Sequence, residues 1–498
     1  MLFSCFFAAW LLQAVVAKCA DTVAAPWSAA DLKSKLSQNA NIVSPSNGDW
    51  TTLVARASYP RINPAYKVVV EVATEADIQA TVKYANKYEI PFLAVSGTHG
   101  WPKTLNGLKG GIQISLRKLN RSTVDKGGKT ATIGGGSLQW EALADLYKEG
   151  KQAVTGICEC VSVAGPLLGG GHGQLQNQFG FAMDNLVSAR VVLANGTVAV
   201  ASAARNPDLY WALRGAGHNF GIVTSLQVKV YDVGQWTVFA FIFLQEKLEA
   251  LYTLVNKIDT PKTRPGKLMI TGVFARVDAI DPVNPAVIYT VSYEGPKADM
   301  QKFADQFIAL GPVSTTITEN VNYIDLYTVT GNDKNNAVCR KNNNILGAGA
   351  ALPQWDMQGL RTAYNTFSNY TLDPRFGASA VLLENYGINA AMKIDPKSTA
   401  LAAEERTRPI LVSAIMWYEG DDAKTHDDAR KHAKAMKDAF YRGVDASKEK
   451  RHAYVNYAYG DEPLPELYGH EQWRLDKLKS LKKAYDPKNA FGFYMPLA

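Results

Sequence analysis

The sequence predicts an α+β protein in which a glycine-rich first half is followed by a separate unit built on an antiparallel sheet. Three observations carry this reading. Short β-branched runs alternate with helical spacing from Tyr66 to Leu116, glycines crowd the stretch from Thr155 to Gly221, and the texture changes after Gly234. The chain has 498 residues, which at about 150 per domain allows roughly three folding units or two large ones. Apolar side chains make up 47% and charged ones 20%, too hydrophobic a mixture for a disordered chain. Lys and Arg number 53 against 46 Asp and Glu, a net +7 spread without a long basic block. That distribution is a solubility feature and argues against a nucleic-acid footprint.

The elements follow in order. Lys67-Val68-Val69-Val70-Glu71-Val72 is short and β-branched, hence a strand. Thr74 with Asp77 three residues on resembles a capping box, and Ile78, Val82 and Ala85 then recur at helical spacing. Ile90 to Val95 reads as a second strand, broken by Ser96-Gly97-Thr98-His99-Gly100, and Ile112 to Leu116 as a third. Thr130 to Ile133 leads into Gly134-Gly135-Gly136-Ser137, where Ser137 is placed to cap a helix running through Tyr147.

The glycine-dense middle holds Gly156-Ile157-Cys158-Glu159-Cys160-Val161 and Gly165-Pro166-Leu167-Leu168-Gly169-Gly170-Gly171-His172-Gly173. Asp184-Asn185, Asn206 through Gly215, and Asn219-Phe220-Gly221-Ile222-Val223 follow. Backbone without Cβ atoms can approach something large with its N–H groups pointing inward, which suits a phosphate-bearing cofactor. Neither a G-x-G-x-x-G opening a helix after the first strand nor a G-x-x-x-x-G-K-[ST] is present, so a Rossmann site and a P-loop are unsupported.

Beyond Gly234, Val238–Leu244, Lys267–Phe274 and Ala286–Tyr293 are strand-like, among helical stretches at Lys247–Lys257, Ala298–Leu310 and Asp421–Tyr441. Asp422 to Lys437 mixes both charge signs and reads as a solvated helix face. The tail has a short aromatic strand at Tyr454-Val455-Asn456-Tyr457 and a charged helix. Leu2 to Ala17 is uncharged and ends in small residues, the pattern of a signal peptide, so secretion is expected. Asn120, Asn195 and Asn369 open glycosylation sequons. Of five cysteines, Cys5 lies in the presumed signal and Cys19 next to its end. Cys158, Cys160 and Cys339 are certain in the mature chain, and an odd thiol in an oxidising compartment invites a chemical explanation. A Cys158–Cys160 bridge has poor Cα geometry.

The ordered blocks Ser96–Gly100, Gly156–Cys158, Gly169–Gly173, Asp184-Asn185, Asn206–Gly215 and Asn219–Val223, with Tyr454–Tyr457 and Tyr485–Phe491 in the tail, carry a resemblance. They are similar to the berberine-bridge-enzyme-like branch of the vanillyl-alcohol-oxidase flavoproteins, the oxygen-dependent FAD-linked oxidoreductases. The resemblance implies a two-domain vanillyl-alcohol-oxidase-type FAD fold, with a substrate domain whose antiparallel sheet is backed by helices. The expected boundaries are a signal peptide at 1–17, a PCMH-type FAD-binding domain at 60–235, a substrate-binding domain at 236–445 and a returning C-terminal segment at 446–498.

It also implies residue roles. His99 matches the histidine bonded to the flavin 8α carbon, and Cys158 the cysteine bonded to flavin C6. On the residues alone, Cys158 could instead bridge to Cys339 or Cys160. Val161 matches the position that admits or blocks oxygen, and a small valine goes with oxidase behaviour. Tyr457 matches a catalytic base, although a phenol with a pKa of about 10 needs help to act as one. Glu384 and Asn385 fall in the substrate-lining region. Ser96, Gly97, Thr98, Gly100, Gly156, Gly165, Gly170, Gly171, Gly221, Ile222, Val223 and Asn456 complete the expected cofactor contacts. His172 reads equally as a loop residue or a cofactor contact.

The chain departs from the family in two places. The usual Gly-Gly-His is Gly97-Thr98-His99, and Pro166 stands where many members place a histidine near the flavin N1–C2 edge. The expected function is a secreted oxidase with covalent FAD, acting as a monomer on a small natural product and on O2, with no nucleic acid and no membrane after signal cleavage. Oligosaccharide oxidation at the anomeric carbon, or a non-redox cyclase on the same scaffold, is the alternative. A metal site fails on spacing, since only His426 and His432 lie close together, and a Ser hydrolase fails for lack of a Gly-x-Ser-x-Gly elbow.

Overall fold

A computed structural model describes residues 27–260, 263–444 and 449–497. The segment read as a signal peptide, with Cys5 and Cys19, lies outside them. No helix among the described residues is long and apolar enough to cross a membrane.

Of the four sheets among the described residues, the three larger ones organise the chain. Asn41–Val43, Tyr66–Glu71, Gly111–Ser115 and Phe92–Val95 lie side by side in that order, the last three parallel. The helix Glu75–Lys87 packs Ile78, Val82 and Ala85 onto this sheet's valines. Its start is the capping box read from the sequence: Asp77 N–H donates to Thr74 Oγ1 at 3.2 Å and Thr74 N–H to Asp77 Oδ2 at 2.9 Å. The second sheet is antiparallel, in the order Ser122–Val124, Thr130–Gly134, Ile222–Lys229, Leu186–Val192 and Val198–Ser202. The helix expected after Ser137 runs Gln139–Lys148, but Ser137 does not cap it. Glu141 does, accepting from Leu138 N–H at 2.8 Å, while the Ser137 hydroxyl is buried without a partner.

The third sheet is the largest, seven antiparallel strands from Trp236 to Trp417. In spatial order these are Ser314–Val321, Trp236–Phe243, Ala286–Glu294, Leu268–Ala275, Ala380–Asn385, Ile410–Trp417 and Ile345–Leu352. Leu248–Ile258, Lys297–Ile308, Met357–Tyr370 and Ala423–Phe440 contribute to the same apolar core. The mixed-charge helix buries one stripe, Ala429, Ala433, Met436 and Phe440, at the 3.6-residue period and leaves most of its charges outside, Lys437 being buried in an ion pair with Glu466. The other face of this sheet looks toward the first two sheets.

The C-terminal stretch departs from expectation. Tyr454–Tyr457 is a turn, closed by Tyr457 N–H donating to Tyr454 C=O at 2.9 Å, and no strand forms there. A strand would alternate its side chains between two faces. Here Tyr454, Asn456 and Tyr457 all face one cavity. Farther on, Asn219 ties the chain end down, donating to Tyr468 and Met495 C=O and accepting from Leu497 N–H.

Candidate active site

A cavity of about 550 Å³ opens between the large sheet and the two smaller ones. One wall comes from loops of the first half, at Ser96–Trp101, Gly156–Cys158 and Val161–Pro166, and from Gly221–Val223 at the start of a strand. The opposite wall is the large sheet, which presents Thr271, Val273, Ile288, Thr290, Leu382 and Ile415. Of the catalytic and cofactor candidates drawn from the sequence, these line it: His99, Cys158, Ser96, Gly97, Thr98, Gly100, Gly156, Val161, Gly165, Gly221, Ile222, Val223, Asn456, Tyr457 and Glu384.

Gly170 and Gly171 are the exceptions. Both have positive φ, +128° and +87°, and sit behind the wall. A Cβ at Gly171 would lie 2.4 Å from that of Ala182. Their smallness serves close packing between protein segments, and the same holds for Gly173 and Gly135. Glycine density therefore marked the neighbourhood of the cavity better than its lining. Asn385 is also structural, buried with its Oδ1 accepting from Arg264 Nη1 at 2.7 Å.

The tether candidates meet at one end. A ring nitrogen of His99 and the sulfurs of Cys158 and Cys160 lie within 4.8 Å of one another. Cys160 is bonded to Cys339 across 179 residues, so Cys158 is the free thiol among the described cysteines and that trio is one ligand short of a metal site. Thr98 adopts φ +50°, where glycine would be relaxed, and this explains why the related motif has glycine there. Its hydroxyl donates to Ala55 C=O at 2.9 Å and its carbonyl accepts from Ala57 N–H at 3.1 Å, which holds the strained residue in place. Burial pushes the Cys158 thiol up to about 11 and, with Lys341 adding to it, the His99 imidazole down to about 4.

The other end is anionic. Glu384 sits near the end of the Ala380–Asn385 strand, 2% exposed, and Oε1 accepts from the hydroxyls of Tyr457, at 3.2 Å, and Tyr386. Burial raises its carboxyl to about 7, while Oε2 has no protein partner. Burial and the adjacent carboxylate push the Tyr457 phenol well above its ordinary value. The Tyr457 phenol is thus held in its protonated form, beside a carboxyl that burial brings to about 7. The sequence explains this placement. In Ile345–Leu352 a Cβ at Gly347 would strike the Trp101 ring at 2.5 Å, and one at Gly349 would crowd Tyr457 Cβ at 3.2 Å. Alternate glycines on one strand face thus admit the two aromatic rings.

His172 does both things the sequence allowed: it lines the cavity, and its Nε2 meets Glu405 Oε2 at 2.8 Å. The second Glu405 oxygen meets His452 Nε2 at 2.7 Å. Pro166, in place of the family's histidine, accepts through its carbonyl from Asn456 Nδ2 at 3.0 Å, and Asn456 Oδ1 meets His218 Nε2 at 3.1 Å. His426 bonds Tyr418 and Tyr459, and His432 stacks on Tyr370, so both are structural. Sequence reasoning missed Arg56, Trp101, His218, Lys341 and Tyr386, none of which belongs to a short motif.

Comparisons with known proteins identify the family of the chain. Residues 66–202 match the "FAD binding domain" family model and residues 453–496 the "Berberine and berberine like" model. An FAD-linked oxidoreductase of Gibberella zeae, chry5, is 36% identical over 94% of this chain and 94% of its own length. The chain belongs to the berberine-bridge-like FAD-linked oxidoreductases. A second member, anuG of Penicillium roqueforti, is 34% identical over 93% of this chain and 90% of its own length. Among solved structures, the glucooligosaccharide oxidase of Acremonium strictum, described with 6-S-cysteinyl, 8α-N1-histidyl FAD, shares the fold. Its TM-score is 0.78 at 19% identity, with 94% of this chain and 98% of the other covered. The protein is thus an FAD-dependent oxidoreductase with the two-domain fold of the vanillyl-alcohol-oxidase type. The residues present fit that cofactor: the loops at Ser96–Trp101 and Gly156–Cys158 line one wall of the cavity, and the thiol and imidazole at one end are nucleophiles with no covalent partner of their own.

Proposed function

We propose that the protein is a secreted oxidase that takes hydride from a small, largely apolar organic molecule, such as an intermediate of natural-product biosynthesis. The observation that carries this reading is the large sheet's cavity face. Val273, Ile288, Ile345, Leu382, Ile415 and Trp417 supply it, relieved only by Thr271, Thr290 and the Glu384–Tyr457 pair. A hydroxyl-rich ligand would leave its polar groups unpaired against these side chains, at a cost of about 1–3 kcal/mol each. The fold shared with a glucooligosaccharide oxidase keeps sugar oxidation as the second reading.

FAD, when bound, supplies the hydride acceptor and passes the electrons to dioxygen. The chain's own residues handle the proton. A substrate hydroxyl or amine hydrogen-bonded to Tyr457 gives its proton to the phenol oxygen as the Tyr457 proton passes to Glu384 Oε1, and the Tyr386 hydroxyl steadies that oxygen. Trp101 Nε1–H donates to Tyr457 C=O at 3.3 Å and fixes the turn that presents the phenol. His99 and Cys158 would hold the ring by covalent bonds, and Val161 lines the same wall, where a small side chain would leave dioxygen access. The amino-terminal apolar run supports export, and so does the Cys160–Cys339 bond, which an oxidising compartment preserves.

Peroxide release, followed across a panel of phenolic, alkaloid and polyketide alcohols and a panel of cello- and xylo-oligosaccharides, tests the reading. Turnover confined to the first panel is expected. Robust turnover on the sugars, with none on the apolar alcohols, overturns the substrate class.

A further inference from the structure

The turn Val338–Lys341 crosses from the large-sheet half of the chain to the tether end of the cavity, and no motif marked it. Three of its atoms touch the attachment machinery. Val338 C=O meets His99 Nε2 at 2.9 Å, and because a carbonyl only accepts, the imidazole proton is on Nε2 and the lone pair is on Nδ1. Cys339 is disulfide-bonded to Cys160, with the Cys158 sulfur 3.5 Å from Cys160 Sγ and 3.7 Å from Cys339 Sγ. The Lys341 ammonium donates to Gly97 C=O. That contact is at the junction of the two tether loops, because a Cβ on Gly97 would lie 2.8 Å from Ser162 N and 3.3 Å from Cys160 O. The turn is anchored on its far side as well: Asn342 N–H donates to Arg56 C=O at 2.7 Å and Asn343 N–H to Ala57 C=O at 3.0 Å.

We propose that this turn is the positioning element for flavin attachment: its Val338 carbonyl presents His99 Nδ1 as the nucleophile, its Lys341 ammonium pins Gly97 where the two tether loops meet, and its disulfide holds both parts against the Cys158 loop. The inference rests on the covalent-FAD reading above and assigns what readies the two nucleophiles. Each attachment balances in the same way. At His99 an N–C bond forms to the 8-methyl carbon while one C–H and the Nε2–H are lost; at Cys158 an S–C bond forms while the ring C–H and the S–H are lost. In both, the electron pair and two protons reduce the ring, and dioxygen takes them off as hydrogen peroxide.

Electrostatics agree with this geometry. Burial is the main force holding the Cys158 thiol neutral, and Glu159 and Asp333 add to it, whereas the Cys160 backbone N–H opposes them first and the Lys341 cation second. No carboxylate pairs with the Lys341 ammonium among the described residues, and burial with Arg56 nearby lowers it to about 8, so it is still charged at neutral pH. His99 is neutral through burial first and Lys341 second, so removing Lys341 leaves Nδ1 available. The two links should therefore respond differently.

The test compares the full chain as wild type, Lys341→Met, Lys341→Arg and the Cys160→Ser/Cys339→Ser double variant, all produced with ample riboflavin. Intact mass after acid precipitation gives the fraction with covalent flavin, and peptide mapping gives its residue. Lys341→Met is expected to lose the Cys158 link at least fivefold while keeping the His99 link, with Lys341→Arg restoring it. The double variant is expected to lose yield at both residues. Wild-type stoichiometry at Cys158 in Lys341→Met overturns the proposal. If that variant does not fold, unchanged yield at both residues in the double variant overturns it instead. Wild type without any bound flavin would sink the flavoprotein reading itself, a different result.

Discussion

The two ends of the cavity differ in burial and in the groups they gather: His99 and Cys158 are half-buried beside cations, whereas Glu384 is fully buried among phenols. At the tether end Arg56 and Lys341 lie beside His99 and Cys158, with no carboxylate in ion-pair contact among the described residues. At the proton end the Glu384 carboxyl receives two phenols and no ammonium or guanidinium. Burial favours the neutral form of every group, but that one rule moves bases down and acids up. His99 goes to about 4 and Glu384 to about 7. The tether end thus holds an imidazole that stays unprotonated, and the proton end a carboxyl that changes state near neutrality. Desolvation, acting on different residue types and helped at His99 by Lys341, pushes the two ends in opposite directions within one cavity.

This comparison can be broken from either side. The largest effect is expected from Glu384→Gln, which keeps the hydrogen-bonding shape but cannot take a proton. Its kcat/KM should fall by roughly 10²–10⁴, with acid-stable flavin unchanged in the absorbance spectrum. Loss of flavin together with activity would erase the distinction between the ends. Next is the pH profile. Glu384 must be ionised to act, so wild-type kcat/KM should rise with pH through about 7 and flatten above it. A limb that persists in Glu384→Gln would assign the titration elsewhere.

Smaller effects sharpen the picture of the walls. Leu382→Asn places an unpaired amide on the apolar face and should raise KM about tenfold for an apolar substrate, with kcat less affected. Behind the wall, His172 and His452 hold the Glu405 carboxyl well below the usual carboxylate range. A depressed native value means its stabilisation is complete above about pH 4 and is lost on acidification below that. Acid unfolding followed by circular dichroism should be shallower in Glu405→Gln. The smallest effect is expected far from both ends: Thr74→Ala removes half of the capping box and should cost about 1 kcal/mol in urea titration, with no change in flavin or rate.

Much of the first half was legible because its signals are local. The capping box at Thr74 and Asp77 and the strands around Val69, Ala94 and Ile114 are set by residues within a few positions of each other. The tether loops were legible because motif order survives in one sequence. What escaped depends on contacts across long separations. Lys341 reaches Gly97 over 244 residues, and Glu384 pairs with Tyr457 over 73. The Tyr454–Tyr457 turn was misread as a strand because its aromatics carry β propensity, while burial toward the cavity decides its shape. Gly170 and Gly171 were misread because glycine permits close packing against protein as readily as against a ligand.

The most direct measurement is the visible spectrum of the purified full chain, taken before acid precipitation and again on the redissolved pellet, with intact mass on the same sample. The account expects a yellow protein whose absorbance stays with the pellet and whose mass exceeds that of the mature polypeptide by one FAD. A folded, colourless protein of unmodified mass, or colour that passes wholly into the supernatant, would contradict it.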